Sequence, residues 1–116
     1  MIVVITGEID FPPENVAPAL AGAKDLIDMA LAEKGCRHYT WTADAYVPGR
    51  VHVFEEWETA EDLAAHLVAE PYYGMGAHLG AFGILGAVTR KYRCDLVEPV
   101  YSPEGVATAT FLTAKD

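Results

Sequence analysis

The order of apolar patterns along the chain is the feature that most restricts its fold. Strand patterns, rich in β-branched and aromatic residues, alternate with apolar residues at helical spacing. The strand patterns cover residues 2–9, 36–46, 50–58 and 87–98, and the helical patterns lie in the two intervals 13–35 and 60–86. This β-α-β-β-α-β order predicts an α+β fold of the ferredoxin-like type, a four-stranded antiparallel sheet with two helices on one face.

The second helical interval is interrupted by glycine. Residues 71–86 keep apolar side chains at helical spacing but contain five glycines, each of which costs ~1 kcal/mol in a helix interior. This segment is therefore predicted to be a short, loosely held helix or a mobile lid. The helix that precedes this segment is predicted to start at Thr59, because an acid, Asp62, follows three residues later.

The predicted topology places the first strand in the centre and the second and fourth strands at the edges. Cys36 and Cys94 then lie on opposite edges, so two buried, reduced thiols are expected instead of a disulfide. One face of the sheet has no helix over it. Because 52% of the residues are apolar, an open face of that size predicts a homodimer joined through the sheets.

The composition excludes several function classes. The chain has 116 residues, enough for one domain, and a net charge of −9, which argues against nucleic acid and anionic membrane surfaces as partners. No apolar run reaches the ~20 residues of a spanning helix, and the first residues lack a basic leader, so a soluble cytoplasmic protein is expected. Residues 1–98 are predicted to form the domain, and residues 99–116 a tail that adds a strand or reaches a partner subunit.

Three short stretches occur in a familiar order. They are Gly35-Cys36 followed by Tyr39 and Asp44, then Phe54-Glu55-Glu56-Trp57-Glu58, and then Leu63-Ala64-Ala65-His66-Leu67. Together they resemble the antibiotic biosynthesis monooxygenase (ABM) family of dimeric α/β-barrel proteins, which includes quinol monooxygenases. The resemblance covers roughly residues 1–98 and is more specific for the fold than for the reaction.

The chain departs from the family's commonest pattern after the second helix begins. Many members have a histidine in a Ser-Pro-His type segment, where this chain has Glu70-Pro71-Tyr72-Tyr73. Heme-degrading relatives use an asparagine on the first strand, where this chain has Thr6-Gly7-Glu8, so heme chemistry is the less favoured alternative. His78 is the residue that could act as a heme ligand.

The resemblance implies cofactor-free oxidation of a quinol, phenol or anthrone-like substrate by O2. An electron-rich phenolate can itself reduce O2, so the protein needs only to bind and deprotonate the substrate and to exclude water. No cofactor and no metal are expected. The alternatives on the same fold are a non-enzymatic dimer that binds a small molecule, and an isomerase or cyclase.

Four residues are predicted to be catalytic, each with a structural alternative. Trp57 matches the family motif and would form an aromatic wall with an N–H donor, or simply belong to the core. Tyr72 could hydrogen-bond a substrate oxygen, or pack as part of an amphipathic segment. His78 could act as a base if its segment covers the pocket, or be a surface histidine. Arg90 lies on an apolar strand face, where it could bind a phenolate oxygen or pair with a glutamate.

Four further residues are predicted to bind substrate: Tyr73, His66, Phe82 and Met75. His66 is the most natural titratable group, yet the family pattern places it on a helix facing away from the cavity, which favours a structural hydrogen bond. The glutamates of 55–58 alternate between strand faces, and no catalytic pair is predicted among them. His38 and His52 lie too far apart along the hairpin to share a metal.

Overall fold

The structure, a computed structural model, describes residues 1–113 and contains one antiparallel sheet with a helical layer on one face. The strands are β1 (Ile2–Asp10), β2 (Cys36–Ala43), β3 (Arg50–Trp57) and β4 (Gly86–Cys94). The helices are α1 (Val16–Gly22), α2 (Lys24–Leu31), α3 (Ala60–His66) and α4 (Glu70–Gly80), and a 3-10 turn, Pro13–Asn15, precedes α1. The strand order β2-β3-β1-β4 confirms the predicted fold class, with β2 and β4 at the edges.

The register of β1 and β3 decides which side chains enter the core. Val3 pairs with Trp57 and Ile9 with Val51, and all four of these side chains are buried under the helices. Successive side chains of a strand alternate between faces, so every second residue of β3 shares the face of Trp57. Glu55 is one of these residues, and the register therefore carries its carboxylate into the helix-covered side of the sheet.

The helical layer differs in detail from the two predicted helices. The first interval is divided into the 3-10 turn, α1 and α2, and the last two meet at the buried residue Ala23. Thr59 is the N-cap of α3, and its Oγ1 accepts a hydrogen bond from the Asp62 backbone N–H at 3.0 Å, as the sequence predicts. The layer packs mainly over β1, β2 and β3.

The glycine-rich segment is an ordered helix packed against the domain. Pro71, Met75 and Leu79 of α4 are buried along one side. A Cβ at Gly74 would lie 2.8 Å from Leu26 Cδ2, so this glycine allows α4 to approach α2 closely. The helical half of the prediction is therefore correct. The segment is not loosely held, because these three side chains are buried and because α4 approaches α2 closely at Gly74.

β4 differs most from expectation. Its residues Gly86 to Arg93 are exposed in the monomer, so it is not the core strand that the sequence predicts. The reason is that the helices cover the other three strands. Cys36 and Cys94 are free thiols on opposite edges, as predicted, but they are half-buried and not fully buried.

The tail folds on itself within the described residues. Tyr101 and Ala107 form an isolated antiparallel bridge, and the Glu98 carboxylate accepts hydrogen bonds from the backbone N–H groups of Leu112 and Thr113. The last residues of the predicted tail, 114–116, lie outside the described part of the chain. A role of the tail as an arm on a partner subunit stays a prediction. No helix in residues 1–113 is long and apolar enough to cross a membrane.

Gly35, in the turn before β2, offers a test of this packing. It has φ +78°, and an added Cβ would also collide with the Asp62 carboxylate of α3. We expect Gly35→Ala to lower the free energy of unfolding by about 2 kcal/mol or more, measured by urea denaturation. The matched control is Gly76→Ala in α4, where nothing lies within 4 Å of the new Cβ and a gain of ~0.5–1 kcal/mol is expected. Equal effects of the two substitutions would contradict this account of Gly35.

Candidate functional site

A cavity of about 240 Å³ lies between the helix-covered face of the sheet and the helices α3 and α4. Its walls are mostly apolar, with Ile5 and Val53 from the sheet and Met75 and Leu79 from α4. Six residues with polar side-chain groups line it: Tyr39, Trp41, Glu55, His66, Tyr72 and Thr89. An apolar cavity with a few converging polar groups is the usual form of a small-molecule site.

Glu55 is the buried acid of this cavity. Its side chain accepts a hydrogen bond from Trp57 Nε1 at 3.0 Å, and its Oε1 lies 3.9 Å from His66 Nε2. Burial raises the pKa of Glu55 above its ordinary value, although the Trp57 hydrogen bond and the nearby His66 act in the opposite direction. A carboxyl group with a raised pKa exchanges a proton more readily near neutral pH, as a general base or acid must.

His66 lies beside Glu55 and is only 1% exposed. Its Nδ1 forms a 2.7 Å hydrogen bond with Glu33 Oε1, and its ring centroid lies 4.6 Å from that of Trp57. The expectation that His66 faces away from the cavity is wrong. Because α3 begins after Thr59, Leu63 and His66 share one side of the helix and turn together toward the sheet.

The cavity also contains hydrogen-bond donors from β2. Tyr39 is 4% exposed, and burial, followed by the charges of Glu55 and Glu33, raises its pKa far enough to keep the hydroxyl neutral. Trp41 Nε1 is near enough to the Tyr39 oxygen to lower the pKa of that hydroxyl against the larger effect of burial, but its geometry falls short of a hydrogen bond. Within residues 1–113, Trp41 Nε1 is the one buried side-chain N or O atom without a partner. A ligand oxygen would satisfy it.

The structure brings together only some of the residues predicted for the site. Tyr72, His66 and Met75 line the cavity, with Tyr72 half-exposed at its mouth and its ring centroid 5.7 Å from that of His66. Trp57 lies behind Glu55 with no exposed surface, and its N–H is already bonded to that carboxylate. Trp57 therefore orients Glu55 and does not form an open wall of the cavity.

The remaining predicted residues lie outside the cavity. His78 Nε2 is 2.8 Å from the Ala19 carbonyl oxygen, so His78 joins α4 to α1. Its ring packs on Phe82, which follows α4. Tyr73 is exposed next to Tyr72. Arg90 pairs with Thr6 on the face of the sheet that no helix covers. It is exposed and forms no ion pair among the described residues, so the predicted pairing with a glutamate is wrong there.

The acids and histidines elsewhere support the fold. His52 Nε2 lies 2.6 Å from Asp44 Oδ2 at the end of the β2–β3 hairpin, and the hydrogen bonds from His52 and from the Tyr46 and Val47 N–H groups lower the pKa of Asp44 to about 2. His38 lies opposite Glu56 in the sheet. It is therefore separated from His52 along the hairpin, as predicted. Among residues 1–113 no group of three metal-ligating side chains comes together.

Sequence reasoning missed Glu55, Glu33, Tyr39 and Trp41 as members of the site. For Glu55 a signal was present, because Val51, Val53 and Trp57 alternate with polar residues and place position 55 on the buried face. Glu33 had no such signal, since it follows α2 and reaches His66 across 33 residues of sequence.

Comparison with known proteins supports the fold. The family model described as antibiotic biosynthesis monooxygenase matches residues 1–73. No curated protein matches the chain.

Three solved structures illustrate the likeness. A candidate antibiotic biosynthesis monooxygenase from Deinococcus radiodurans has 17% identity and a TM-score of 0.77, covering 86% of this chain and 99% of its own. One of the same description from Caulobacter crescentus CB15 has 22% identity and a TM-score of 0.73, covering 84% and 91%. A conserved protein from Methanosarcina mazei Go1 has 22% identity and a TM-score of 0.73, covering 80% and 92%. At these identities the likeness shows the fold.

The buried carboxyl group makes stability depend on pH in a defined direction. Because the pKa of Glu55 is raised in the folded chain, its contribution to stability is complete below the unfolded value of about 4.3 and is lost as the pH rises through the folded value. The glutamine in Glu55→Gln still accepts the Trp57 hydrogen bond. At pH values above the folded pKa of Glu55, we expect this variant to have a higher free energy of unfolding than the wild type. Urea denaturation at a series of pH values measures the difference.

The control for this experiment is Glu56→Gln. Glu56 is the next residue on β3, lies on the other face and pairs with Arg37 at 3.5 Å. The Glu56→Gln variant should therefore keep the pH dependence of stability that the wild type has. The same flattening of the pH dependence in both variants would assign it to general charge and not to the burial of Glu55.

Proposed function

The chain belongs to the antibiotic biosynthesis monooxygenase family, and from this we propose that it is a monooxygenase that oxidises a quinol- or phenol-like aromatic molecule with O2 in the cavity beside Glu55. The observation that carries the proposal is the buried Glu55 carboxyl, which faces the cavity between aromatic and apolar walls and has a raised pKa. The substrate itself supplies the electrons, so the residues supply a base, oxygen-binding donors and protection from water.

The proposed reaction begins with proton transfer. Glu55 takes the proton of a substrate O–H group, and the resulting phenolate transfers one electron to O2. The substrate radical and superoxide then combine to form a C–O bond. Return of the proton to the outer oxygen, cleavage of the O–O bond and loss of the ring C–H proton give one hydroxyquinone and one water from one quinol and one O2.

The cavity residues fit the separate needs of this reaction. Trp41 Nε1 has no partner within the described chain and would donate to the oxygen of the substrate, where negative charge develops. Tyr39 keeps a neutral hydroxyl because its pKa is raised, and Tyr72 stands at the mouth. The volume of about 240 Å³ is below the ~300 Å³ of common drug-sized sites, which favours a substrate of one or two rings over a larger one.

A homodimer joined through the uncovered sheet face is part of the proposal. That face carries exposed apolar side chains, including Phe54, Val88 and Tyr92, on the strands β3 and β4. Exposed apolar patches of this kind mark interaction surfaces. The cavity lies on the opposite face, so the dimer would leave its mouth accessible.

A non-catalytic protein that binds the same kind of molecule is the second candidate. Tyr72 and Tyr73 stand where many relatives have a histidine, and this replacement favours a site that kept its shape and lost its chemistry. Binding of quinols without oxygen consumption would select this alternative.

Oxygen uptake tests the proposed reaction. We expect chelator-treated protein to consume O2 with a one- or two-ring quinol faster than the quinol oxidises alone. Glu55→Gln should lower kcat/KM by about 10²- to 10⁴-fold, because it removes the base, whereas Glu56→Gln on the outer face should retain the wild-type rate. Rates equal to autoxidation across a panel of quinols and phenols would overturn the proposal.

The unpartnered Trp41 N–H predicts a separate effect on binding. We expect Trp41→Phe to weaken binding of a phenolic ligand by about 2- to 10-fold, since one hydrogen bond is lost. Isothermal titration calorimetry under anaerobic conditions measures this. The matched comparison is Trp57→Phe, which breaks an internal bond to Glu55 and should mainly lower stability. Unchanged affinity in Trp41→Phe would exclude that N–H from ligand binding.

A further inference from the structure

His66 lies between two carboxylates, one at each ring nitrogen. Glu33 Oε1 is 2.7 Å from Nδ1, and Glu55 Oε1 is 3.9 Å from Nε2. The imidazole is 1% exposed, and the Glu33 side chain 19%. A carboxylate accepts hydrogen bonds, so a neutral His66 donates Nδ1–H to Glu33 and directs the Nε2 lone pair toward Glu55. The ring is thus set to receive a proton from the Glu55 side.

We propose that Glu55, His66 and Glu33 form an enclosed proton store, in which the proton taken from the substrate by Glu55 is held on His66 and returned through Glu55 to the reduced oxygen. This inference rests on the monooxygenase reaction proposed above. His66 is the group that holds the proton. Glu33 is a positioning residue, because it touches His66 and does not line the cavity.

The proton balance of the reaction explains why a store is needed. One quinol and one O2 give one hydroxyquinone and one water, so no net proton is gained from or lost to the solvent. The proton that leaves the substrate O–H first must stay available until the peroxide forms and its outer oxygen is protonated. Because Glu55 and His66 are buried away from bulk water, that proton has to be held on groups of the site itself.

Charge separation favours His66 over Glu55 as the holder. A protonated Glu55 next to the substrate anion would return the proton before O2 reacts. Transfer to His66 Nε2 places the positive charge one group further away, between two carboxylates whose negative charges stabilise an imidazolium. The distance of 3.9 Å between His66 Nε2 and Glu55 Oε1 can be bridged by a rotation of the Glu55 side chain or by a bound water molecule.

The other groups around His66 do not compete for the proton. Tyr39 of β2 and Tyr72 of α4 contact the ring through their aromatic edges, with centroid distances of 5.5 and 5.7 Å. Burial, and then the charges of Glu55 and Glu33, raise the pKa of the Cys36 thiol to about 11, so it stays neutral. Asp62, one turn earlier on α3, directs its carboxylate at Gly35.

The test compares Glu33→Gln with Glu61→Gln. The glutamine introduced by Glu33→Gln keeps the size of the side chain and an oxygen that accepts from Nδ1–H, but it has no charge to stabilise the imidazolium. Glu61 lies on the exposed side of α3, the same helix as His66. The ¹⁵N chemical shifts of the His66 ring, recorded at one fixed pH, report which of its nitrogens are protonated, and equal urea midpoints establish that the variants are folded.

We expect the share of His66 with both ring nitrogens protonated to fall in Glu33→Gln, because a stabilising negative charge is lost, and to stay at the wild-type level in Glu61→Gln. Quinol turnover by Glu33→Gln should fall about tenfold, with a larger share of the consumed O2 released as hydrogen peroxide, because protonation is no longer timed to the peroxide stage. A purely structural role of Glu33 predicts lost stability with neither of these changes.

The outcomes separate the store from the reaction. Unchanged ring ¹⁵N chemical shifts of His66 in Glu33→Gln overturn the store. A lowered protonated share of His66 with wild-type turnover and wild-type peroxide release also overturns it. If the wild-type protein oxidises no quinol, the proposed function fails, and a protonated share of His66 that falls in both Glu33→Gln and Glu55→Gln still supports proton sharing by the three groups.

Discussion

The burial of one carboxyl group, that of Glu55, organises the site. β3 presents Val51, Val53 and Trp57 to the helices, and the same alternation places Glu55 among them. A buried carboxylate is costly unless it has hydrogen-bond donors and a compensating charge nearby. Trp57 supplies the donor, and His66 supplies the group that can carry the charge. The positions of these two rings are thus tied to the chemistry that Glu55 can perform.

The helical layer leaves a cavity of about 240 Å³ beside that carboxyl group. α4 approaches α2 closely at Gly74, and Met75 and Leu79 on the same helix form the wall of the cavity opposite the sheet. α3 contributes His66, whose Nδ1 is hydrogen-bonded to the Glu33 side chain. The cavity is therefore a consequence of helix packing against an alternating strand. Gly74, one of the glycines that weaken the helical pattern in the sequence, is part of what permits this packing.

Much of the fold could be predicted because it depends on local patterns. The order of strands and helices, the edge positions of β2 and β4 and the N-cap at Thr59 all follow from periodicity and short-range chemistry. The site was harder to predict. Residue type and family resemblance predict eight residues, of which the structure places Tyr72, His66 and Met75 on the cavity. Residue type alone cannot tell which face of an element a side chain occupies.

The sequence by itself determined the α+β architecture, the family and the inward face of β3, because strand and helix periods are properties of consecutive residues. Only the tertiary structure decided that Glu33, His66 and Glu55 meet, that Trp41 keeps an unpartnered N–H at the cavity, and that Arg90 lies on the open face. These relations join residues from different elements. They depend on the rotation of α3 about its axis and on the register of the sheet, which long-range packing sets.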